Sequence, residues 1–421
     1  MRAEEYHTWN GIISIFNNRK ISIMKKQFNR ACQEDYAEVL DFINYVFSYS
    51  HEPHDFLALL PKLYKPEYFM ESIHYTAREE GKIKAVVCSC PLDMNFFDAK
   101  SGGLITLPGR GIGMVSVHPY SRSQGYMSTL MKTAVKDMQK KGMVFGCLGG
   151  QRQRYEYFGF TPAGTKLTFS FTNANFTHTL GKYREAFIML EKVGRDDTEI
   201  IDKCFEMHET KIARMARSRE KFFDIISSWN ADIFAIYLKE IFQGYMVCMQ
   251  SHVIELVISN LFHLPQALGV FSRIRKNLGD SGSVKISVPL FEPEKIEICS
   301  GFAENYTQTH AGSFAVFDYL RFADTLVKLR AKNGKIMKGS FTLQIADEDR
   351  EVNTCIRLFC DNNGCGAEKT NEVPVLSLNC LDATRFLFSP LSASVFPAVR
   401  ENEFLQSLLP LPLYMEYADT V

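Results

Sequence analysis

A basic turn between a strand pattern and a helix pattern is the first candidate for chemistry in this 421-residue chain. Residues 113–127 read Gly-Met-Val-Ser-Val-His-Pro-Tyr-Ser-Arg-Ser-Gln-Gly-Tyr-Met. Alternating valines predict a strand, Pro119 marks a turn, and Gly125 allows a ligand to approach the main chain. Amides at a helix start attract anions, so the sequence predicts a diphosphate pocket here. Its predicted contacts are Arg122, Ser123, Gln124, Gly125, Tyr126 and Met127.

The elements that must position this turn follow directly in the sequence. Apolar residues at three- and four-residue spacing predict a helix from residue 126 to about 141, and Gly142 ends it. Residues 144–148 then predict a buried strand, and residues 155–160 read Tyr-Glu-Tyr-Phe-Gly-Phe. Alone, Arg-x-x-Gly before an amphipathic helix is also typical of an ordinary turn. The second motif favours the ligand site.

The order strand, Arg-x-x-Gly-x-x, helix, strand and Tyr-x-x-Phe-Gly-Phe resembles the GNAT superfamily of N-acetyltransferases. In that superfamily the turn binds the pyrophosphate of acetyl coenzyme A (acetyl-CoA). Together with Gly-Ser-Phe-Thr-Leu-Gln-Ile-Ala-Asp at residues 339–347, the motifs resemble the enhanced intracellular survival (Eis) family. The resemblance covers nearly all of the chain after residue 28. It implies an active GNAT domain, a degenerate copy and a sterol carrier protein-like domain.

We therefore expect an α/β (α+β) fold with two tandem GNAT-like domains and a small third domain. The expected divisions are an N-terminal appendage (1–23, with Met24 as a candidate start), a catalytic GNAT domain (24–165), a degenerate GNAT-like domain (166–305) and a sterol carrier protein-like domain (306–421). In the second domain Asn-Leu-Phe-His-Leu-Pro at residues 260–265 replaces the phosphate turn. That copy is not expected to bind coenzyme A.

Periodicity predicts further elements that the structure can test. The first domain should contain helices at 34–47 and 56–63 and a hairpin at 75–90. The second should contain a hairpin, a strand, a helix and a strand between residues 234 and 288. The third should contain a helix at 315–329 and strands at 340–347, 353–361 and 375–379.

Acetyl transfer needs a nucleophilic amine, oxyanion donors and a proton for the departing thiolate. By the family match Tyr155 is the general acid; Tyr157 is the alternative, and either ring can instead be simple packing. The resemblance also implies that the strand edge at Val115, Ser116 and Val117 binds the pantetheine arm. Met114 would face the acceptor pocket by the same match.

The C-terminal carboxylate reaches the active site in the Eis family, often on a terminal aromatic residue. Here four residues follow the last aromatic residue, Tyr417. The Val421 carboxylate is therefore a candidate catalytic group that holds the ammonium of the acceptor. Displacement of the tail would leave Glu416 or Asp419 in its place. A frayed tail is the structural alternative.

Composition bounds the other function classes. The formal net charge is zero, the pI is near 7.1 and 46% of residues are hydrophobic, so nucleic acid is not indicated as a partner. No apolar run reaches the length of about 20 residues that spans a bilayer, and residues 1–23 do not form a signal peptide, so no membrane partner and a cytoplasmic location are expected. The 11 cysteines are expected to be reduced thiols. The cluster at residues 51–55 favours a surface loop over a metal site, so no metal is expected.

The acceptor is left open by the sequence. The resemblance implies amines on polycationic small molecules, such as aminoglycosides or polyamines, or lysine side chains. It also implies a homo-oligomer, for example a hexamer. The alternative function is a non-catalytic sensor of acyl coenzyme A or a lipid-binding protein.

Overall fold

The computed structural model describes residues 26–50, 52–98, 102–180 and 187–421. The expected N-terminal appendage and Met24 lie outside these residues, as does His51 of the candidate metal cluster. Asp55 of that cluster caps a helix, because its carboxylate accepts hydrogen bonds from the amides of Leu57 and Ala58. The α/β fold class predicted from the sequence is confirmed by the order of helices and strands.

Among the described residues, the first part of the chain contains eight strands and five α-helices. They are β1 (Gln27–Arg30), α1 (Tyr36–Ser50), α2 (Phe56–Leu59), α3 (Pro61–Tyr64), β2 (Ile73–Glu79), β3 (Lys82–Pro91), β4 (Met94–Asp98), β5 (Gly103–Leu107), β6 (Gly109–Val117), α4 (Tyr126–Lys140), β7 (Phe145–Leu148), α5 (Arg152–Tyr155) and β8 (Thr161–Ala163). The single helix predicted at 56–63 is wrong, because Leu60 leaves helical geometry and Pro61 begins a new helix.

The described residues of the middle part contain another eight strands and five α-helices. They are β9 (Lys166–Phe171), α6 (Asn173–Leu180), β10 (Ile188–Lys192), α7 (Thr198–Glu209), β11 (Ala213–Met215), α8 (Phe222–Ile226), β12 (Asp232–Leu238), β13 (Ile241–Met249), β14 (His252–Ile258), α9 (Leu264–Asn277), β15 (Val284–Pro289), α10 (Pro293–Ser300) and β16 (Asn305–Thr309). The hairpin, strand, helix and strand predicted here are confirmed as β12 to β15 with α9.

The last part contains β17 (Gly312–Val316), α11 (Tyr319–Lys332), β18 (Gly339–Asp347), β19 (Val352–Cys360), β20 (Cys365–Lys369), β21 (Leu376–Leu378), α12 (Cys380–Phe388), α13 (Ser392–Val395), α14 (Pro397–Arg400) and α15 (Glu403–Leu408). The helix predicted from Ala315 is wrong at its start. Ala315 and Val316 end a strand, and Asp318 caps α11 by accepting a hydrogen bond from the amide of Arg321.

Two seven-stranded sheets form the frame. The first has the order β1-β2-β3-β6-β7-β17-β8, and the second has the order β10-β12-β13-β14-β15-β9-β16. A three-stranded sheet (β11-β4-β5) and a four-stranded sheet (β20-β19-β18-β21) complete the fold. Strand β17 fills the gap between β7 and β8, so the first sheet uses residues from beyond the division expected near residue 306.

The last sheet also corrects the cysteine prediction. Cys360 and Cys365 are directly opposite in the β19–β20 hairpin, and their sulfur atoms are bonded. The turn between them brings the two thiols together across the ladder. The expectation of reduced cysteines is therefore wrong for this pair, and the other nine cysteines are free thiols.

Candidate active site

Strand β6 changes direction at Met114. Cys88 of β3 lies opposite Gly113 and Val86 opposite Ser116, so β6 has one more residue than β3 in this interval. Such a bulge bends a strand, and Met114 has a positive φ of 47°. Parallel pairing with β7 runs only from Gly109 to Ile112. Beyond Ile112, the edge of β6 that faces β7 has no strand partner among the described residues.

The open edge includes Val115, Ser116 and Val117, the residues for which the family resemblance implies contact with the pantetheine arm. Unpaired amide and carbonyl groups at a strand edge can bind an extended chain. The Ser116 hydroxyl turns back and donates to the carbonyl oxygen of Met114 at 3.1 Å. The main chain, rather than this side chain, is therefore available to a ligand.

The edge leads into the turn at Arg122–Gly125, which is exposed. Ser123 (φ 63°) and Gly125 (φ 81°) both have left-handed backbone geometry on either side of Gln124. Alternation of this kind makes a concave surface of amides that attracts anions. Helix α4 follows at once, so the amides of its first turn add to the positive end of the helix dipole.

Arg122 and Tyr126 have different positions at this turn. The Arg122 guanidinium stays at the surface and donates to the Ser50 hydroxyl at 3.2 Å. The Tyr126 side chain is buried, with Phe28 packed on it and the Lys26 ammonium 4.6 Å from the ring centroid. Tyr126 can therefore contact a cofactor only through its backbone. Met127 is half-buried beside it.

Tyr155 and Tyr157 are separated clearly by burial. Tyr155 is 9% exposed and packs in the same apolar cluster as Val115 and Val117, whereas Tyr157 is 84% exposed. The Tyr155 ring lies over Gly150, where a β-carbon would come within 2.5 Å of it. Burial raises the pKa of the Tyr155 hydroxyl, so it keeps its proton at neutral pH. Tyr155 is therefore a buried, protonated hydroxyl, whereas Tyr157 lies at the surface.

Val421 lies against the bend in β6. A β-carbon added at Gly113 would be 2.9 Å from Val421 Cγ2 and 3.2 Å from its carboxyl carbon. At Gly111 it would be 3.1 Å from Val421 Cγ2. Val421 and Met114 also belong to one apolar cluster. The structure therefore brings these two predicted residues together where β6 separates from β7.

A buried ammonium and a half-buried indole hold the residues just before Val421. The Lys62 ammonium donates to the carbonyl oxygens of Ala418 (2.6 Å) and Thr420 (2.8 Å). The Trp229 indole donates to Thr420 O at 3.3 Å. Burial lowers the pKa of Lys62 to about 8. These contacts make the tail an ordered part of the fold, which contradicts the frayed alternative.

A buried ion-pair network fixes the tail further back. The Arg217 guanidinium pairs with both Asp419 and Glu255, each at 2.7 Å, and Lys211 pairs with Glu416 and Glu255. Burial acts to lower the pKa of Arg217, but the carboxylates of Asp419 and Glu255 raise it well above its usual value. Glu416 and Asp419 are therefore committed to ion pairs and do not stand in for the Val421 carboxylate.

Sequence reasoning missed the residues that hold the tail. Lys62, Arg217 and Trp229 are far from the tail in the chain and belong to no motif. One signal was present: glycines at 109, 111 and 113 leave one face of β6 without side chains. Alternate glycines in a strand indicate the close approach of another group. In this structure the close groups are Phe145 at Gly109, Cys90 Sγ and Val421 at Gly111, and Val421 at Gly113.

The corresponding place in the second sheet is closed. The Asn260 side chain accepts a hydrogen bond from the amide of Phe262, and Pro265 in the first turn of α9 has no amide hydrogen. Leu264 and Gln266 are buried there. The start of α9 thus lacks the exposed amides that α4 presents.

Comparisons with known proteins agree with this geometry. Residues 27–163 match the family model of the acetyltransferase (GNAT) domain. No curated protein gives a significant match to the chain. Residues 27–163 therefore contain a GNAT acetyltransferase domain, and this domain supports an acyltransferase activity.

Solved structures match almost the whole chain. A conserved protein of unknown function from Enterococcus faecalis, a probable N-acyltransferase, is 14% identical with a TM-score of 0.61, covering 93% of this chain and 98% of that one. A GCN5-related N-acetyltransferase from Kribbella flavida is 13% identical with a TM-score of 0.60 (94% and 99%). Eis1 from Mycobacterium abscessus is 10% identical with a TM-score of 0.58 (94% and 99%). At these identities the likeness shows the shared fold.

Membrane-spanning helices and metal-binding groups can be assessed for the residues that the structure describes. None of the helices in that part of the chain is long and apolar enough to cross a membrane. Within the same residues, His, Cys, Asp and Glu side chains form no group of three or more that would suit a metal ion.

Proposed function

We propose that the protein is an acetyl-CoA-dependent N-acetyltransferase that transfers an acetyl group directly to an amine. The observation that carries the proposal is the bend at Met114. It opens one edge of β6 and leads that edge into an exposed turn of amides at the start of α4. An extended thioester arm and a diphosphate fit these two surfaces in that order.

In this proposal acetyl-CoA is the co-substrate. Its pantetheine arm pairs with the backbone of residues 115–117, and its diphosphate binds the amides of residues 123–127 together with Arg122. The arm then ends near Met114, where Val421 is also placed. The thioester and the acceptor amine would therefore meet at the point where β6 leaves β7.

Tyr155 and Val421 act on the reacting groups. The Val421 carboxylate holds the acceptor ammonium, which loses one proton before its nitrogen attacks the thioester carbonyl. The carbon–nitrogen bond forms as the carbon–sulfur bond breaks, and the thiolate takes the Tyr155 proton. The nitrogen then releases its second proton and Tyr155 is reprotonated from water. The products are the N-acetylated acceptor, free coenzyme A and one proton.

We also propose an Eis-like arrangement, with a degenerate second GNAT-like domain and a sterol carrier protein-like third domain. The closed start of α9 and the separate sheet formed by β18 to β21 support this division. A homo-oligomer is part of the same proposal. Aminoglycosides, polyamines and lysine-containing peptides form the first panel of acceptors.

Release of free thiol tests the proposal. Purified protein with acetyl-CoA should liberate coenzyme A with at least one amine of the panel. Tyr155→Phe should lower kcat by about 10²-fold or more while cofactor affinity is kept, because the hydroxyl acts only on the leaving thiolate. Tyr157→Phe is the matched control and should leave kcat unchanged, since that ring is exposed.

Two results would contradict the mechanism. Tight binding of acetyl-CoA without turnover on any amine would favour the acyl coenzyme A sensor instead. A chain with residues added after Val421 should lose activity, because its carboxylate becomes an amide. Full activity in that extended chain would remove the terminal carboxylate from the reaction.

A further inference from the structure

A cavity of about 580 Å3 lies between the second sheet and the C-terminal tail. Its volume is within the range of about 300–1,000 Å3 that is usual for small-molecule sites. Trp229 and Thr420 line it, and Trp229 also packs in the cluster that contains Met114 and Val421. The cavity thus extends to Thr420, which is directly followed in the chain by Val421.

One wall of the cavity is polar. Lys166, His252 and Ser287 lie on β9, β14 and β15, which are neighbours in the second sheet. His252 Nε2 is 2.9 Å from the Ser287 hydroxyl oxygen. The residues next to them in sequence, such as Leu167 and Val253, pack in the core on the opposite face. Three adjacent strands therefore present polar side chains to this space.

The wall carries positive charge without a counter-charge. No group in the described residues accepts a hydrogen bond or forms an ion pair with the Lys166 ammonium, and no aspartate or glutamate among them lines the cavity. The nearby acids of the tail, Glu416 and Asp419, pair with Lys211 and Arg217 instead. An anionic group bound in the cavity would therefore pair with the Lys166 ammonium.

The pKa shifts of Lys166 and His252 agree with the arrangement of this wall. Burial lowers the pKa of Lys166, which is the response of an ammonium that has no carboxylate beside it. Burial, followed by the charges of Lys166 and Lys285, lowers the pKa of His252 to about 4. His252 is therefore neutral at pH 7 and offers a hydrogen bond rather than a second charge.

The other wall is aromatic. Trp229, Tyr414 and Tyr417 line it, and the rings of Trp229 and Tyr417 have centroids 6.5 Å apart. Aromatic side chains of this kind bury flat apolar groups and keep a polar edge for hydrogen bonding. The cavity combines this surface with the ammonium of Lys166 opposite.

We propose that this cavity binds the acceptor, and that the acceptor is an amine that also carries an anionic carboxylate or phosphate group paired with Lys166. Its apolar or aromatic body lies against Trp229 and Tyr417, and its amine points towards Val421. The inference rests on the proposed function and specifies its substrate class.

Matched pairs of amines test this inference. Phenylalanine and phenethylamine differ by a carboxylate, and O-phosphotyramine and tyramine differ by a phosphate. Thiol release from acetyl-CoA should show a higher kcat/KM for the anionic member of at least one pair, which also identifies the anion. Lys166→Gln should lower kcat/KM for that member by about tenfold or more and leave its partner unchanged, since one charge-assisted contact is lost.

Two variants control for general effects of charge. Lys166→Arg keeps a positive charge at the same place and should retain most of the preference. Lys285→Gln removes a positive charge from the same sheet, two residues before Ser287, but not from the cavity wall. It should keep the preference. Equal rates for both members of each pair, or a Lys166→Gln variant that keeps the preference, would overturn the inference while the acetyltransferase activity stands.

Binding gives a readout that does not need turnover. The chain has two tryptophans, so Trp9→Phe leaves Trp229 as the single reporter in the cavity wall. Phenylalanine or O-phosphotyramine should change its fluorescence with a Kd that rises about tenfold in Lys166→Gln. This result without thiol release would support the cavity assignment and reject the proposed function. No change in fluorescence with any of the four compounds and no preference in turnover would reject the inference.

Discussion

Replacement of Gly113 by alanine should move Val421 without touching the proposed cofactor site. The new β-carbon would be 2.9 Å from Val421 Cγ2 and 3.2 Å from the carboxyl carbon. Carbon atoms in favourable contact are about 3.5–4.0 Å apart, so Val421 must shift by about 0.5–1 Å. Rotation of its side chain is not enough, because the carboxyl carbon is also too close.

A displacement of about 1 Å at a reacting group can cost about 10²-fold in rate. We therefore expect Gly113→Ala to lower kcat/KM for the acceptor by about 10- to 100-fold, with little change in KM for acetyl-CoA. Initial rates of thiol release at varied concentrations of each substrate measure both values. Circular dichroism and the unfolding midpoint show whether the fold is kept.

Gly149→Ala is the matched control. It makes the same chemical change in the same sheet region, and no atom lies within 4 Å of the new β-carbon. Activity should be unchanged there. A folded Gly113→Ala variant with the kcat/KM of the original protein would refute the role given to the position of Val421.

Three further predictions address the cofactor turn and the tail. Arg122→Ala should raise KM for acetyl-CoA by about tenfold in initial-rate assays with kcat nearly kept, because one charge-assisted contact to the diphosphate is lost. Asp419→Asn should cost about 3–5 kcal/mol in denaturant unfolding, because it breaks a buried pair with Arg217. The folded protein loses the Lys62 proton near pH 8, whereas the unfolded chain keeps it to about its usual 10.5. Unfolding free energy relative to Lys62→Met should therefore rise between these pH values by up to about 1.4 kcal/mol per unit, measured by denaturant titration at several pH values.

Each of the three has an outcome that contradicts it. An unchanged KM in Arg122→Ala would mean that backbone amides alone bind the diphosphate. Asp202→Asn, which alters a surface pair with Arg219, is the control for Asp419→Asn and should cost less than about 1 kcal/mol. Equal losses in the two variants would show that burial of the tail pair is unimportant. A flat or falling pH dependence would contradict the lowered pKa assigned to Lys62 in the folded protein.

Local patterns predicted much of the fold. The start of helix α4 at Tyr126 was predicted, because apolar residues recur at helical spacing from there. Gly125, which precedes the helix, has left-handed geometry. The start of α11 was missed for a physical reason. Residues 315 and 316 are apolar, which suits both a helix and a strand. Only their pairing with β7 makes this segment a strand. Strand partners distant in sequence leave no periodic signal.

The residues of the candidate site also form two groups, those that local sequence patterns could predict and those that they could not. The turn at residues 122–127 and Tyr155 were predictable, because their spacing along the chain is itself the motif. The placement of Val421 was predicted only through a family resemblance. Its anchors, Lys62 and Arg217, were not predicted at all. Buried ion pairs between distant segments depend on the tertiary fold, and single lysines or arginines do not reveal such partners in a sequence.

The position of β17 has a consequence for the order of folding. Synthesis proceeds from the N-terminus, and domains generally fold as units as they emerge. Here residues 312–316 fill the gap between β7 and β8, which were made about 150 residues earlier. The segment 27–163 that matches the GNAT domain therefore leaves the ribosome with two strand edges still unpaired. The first sheet closes only after the whole second sheet has been synthesised, because its strand β17 follows β9 to β16 in the chain.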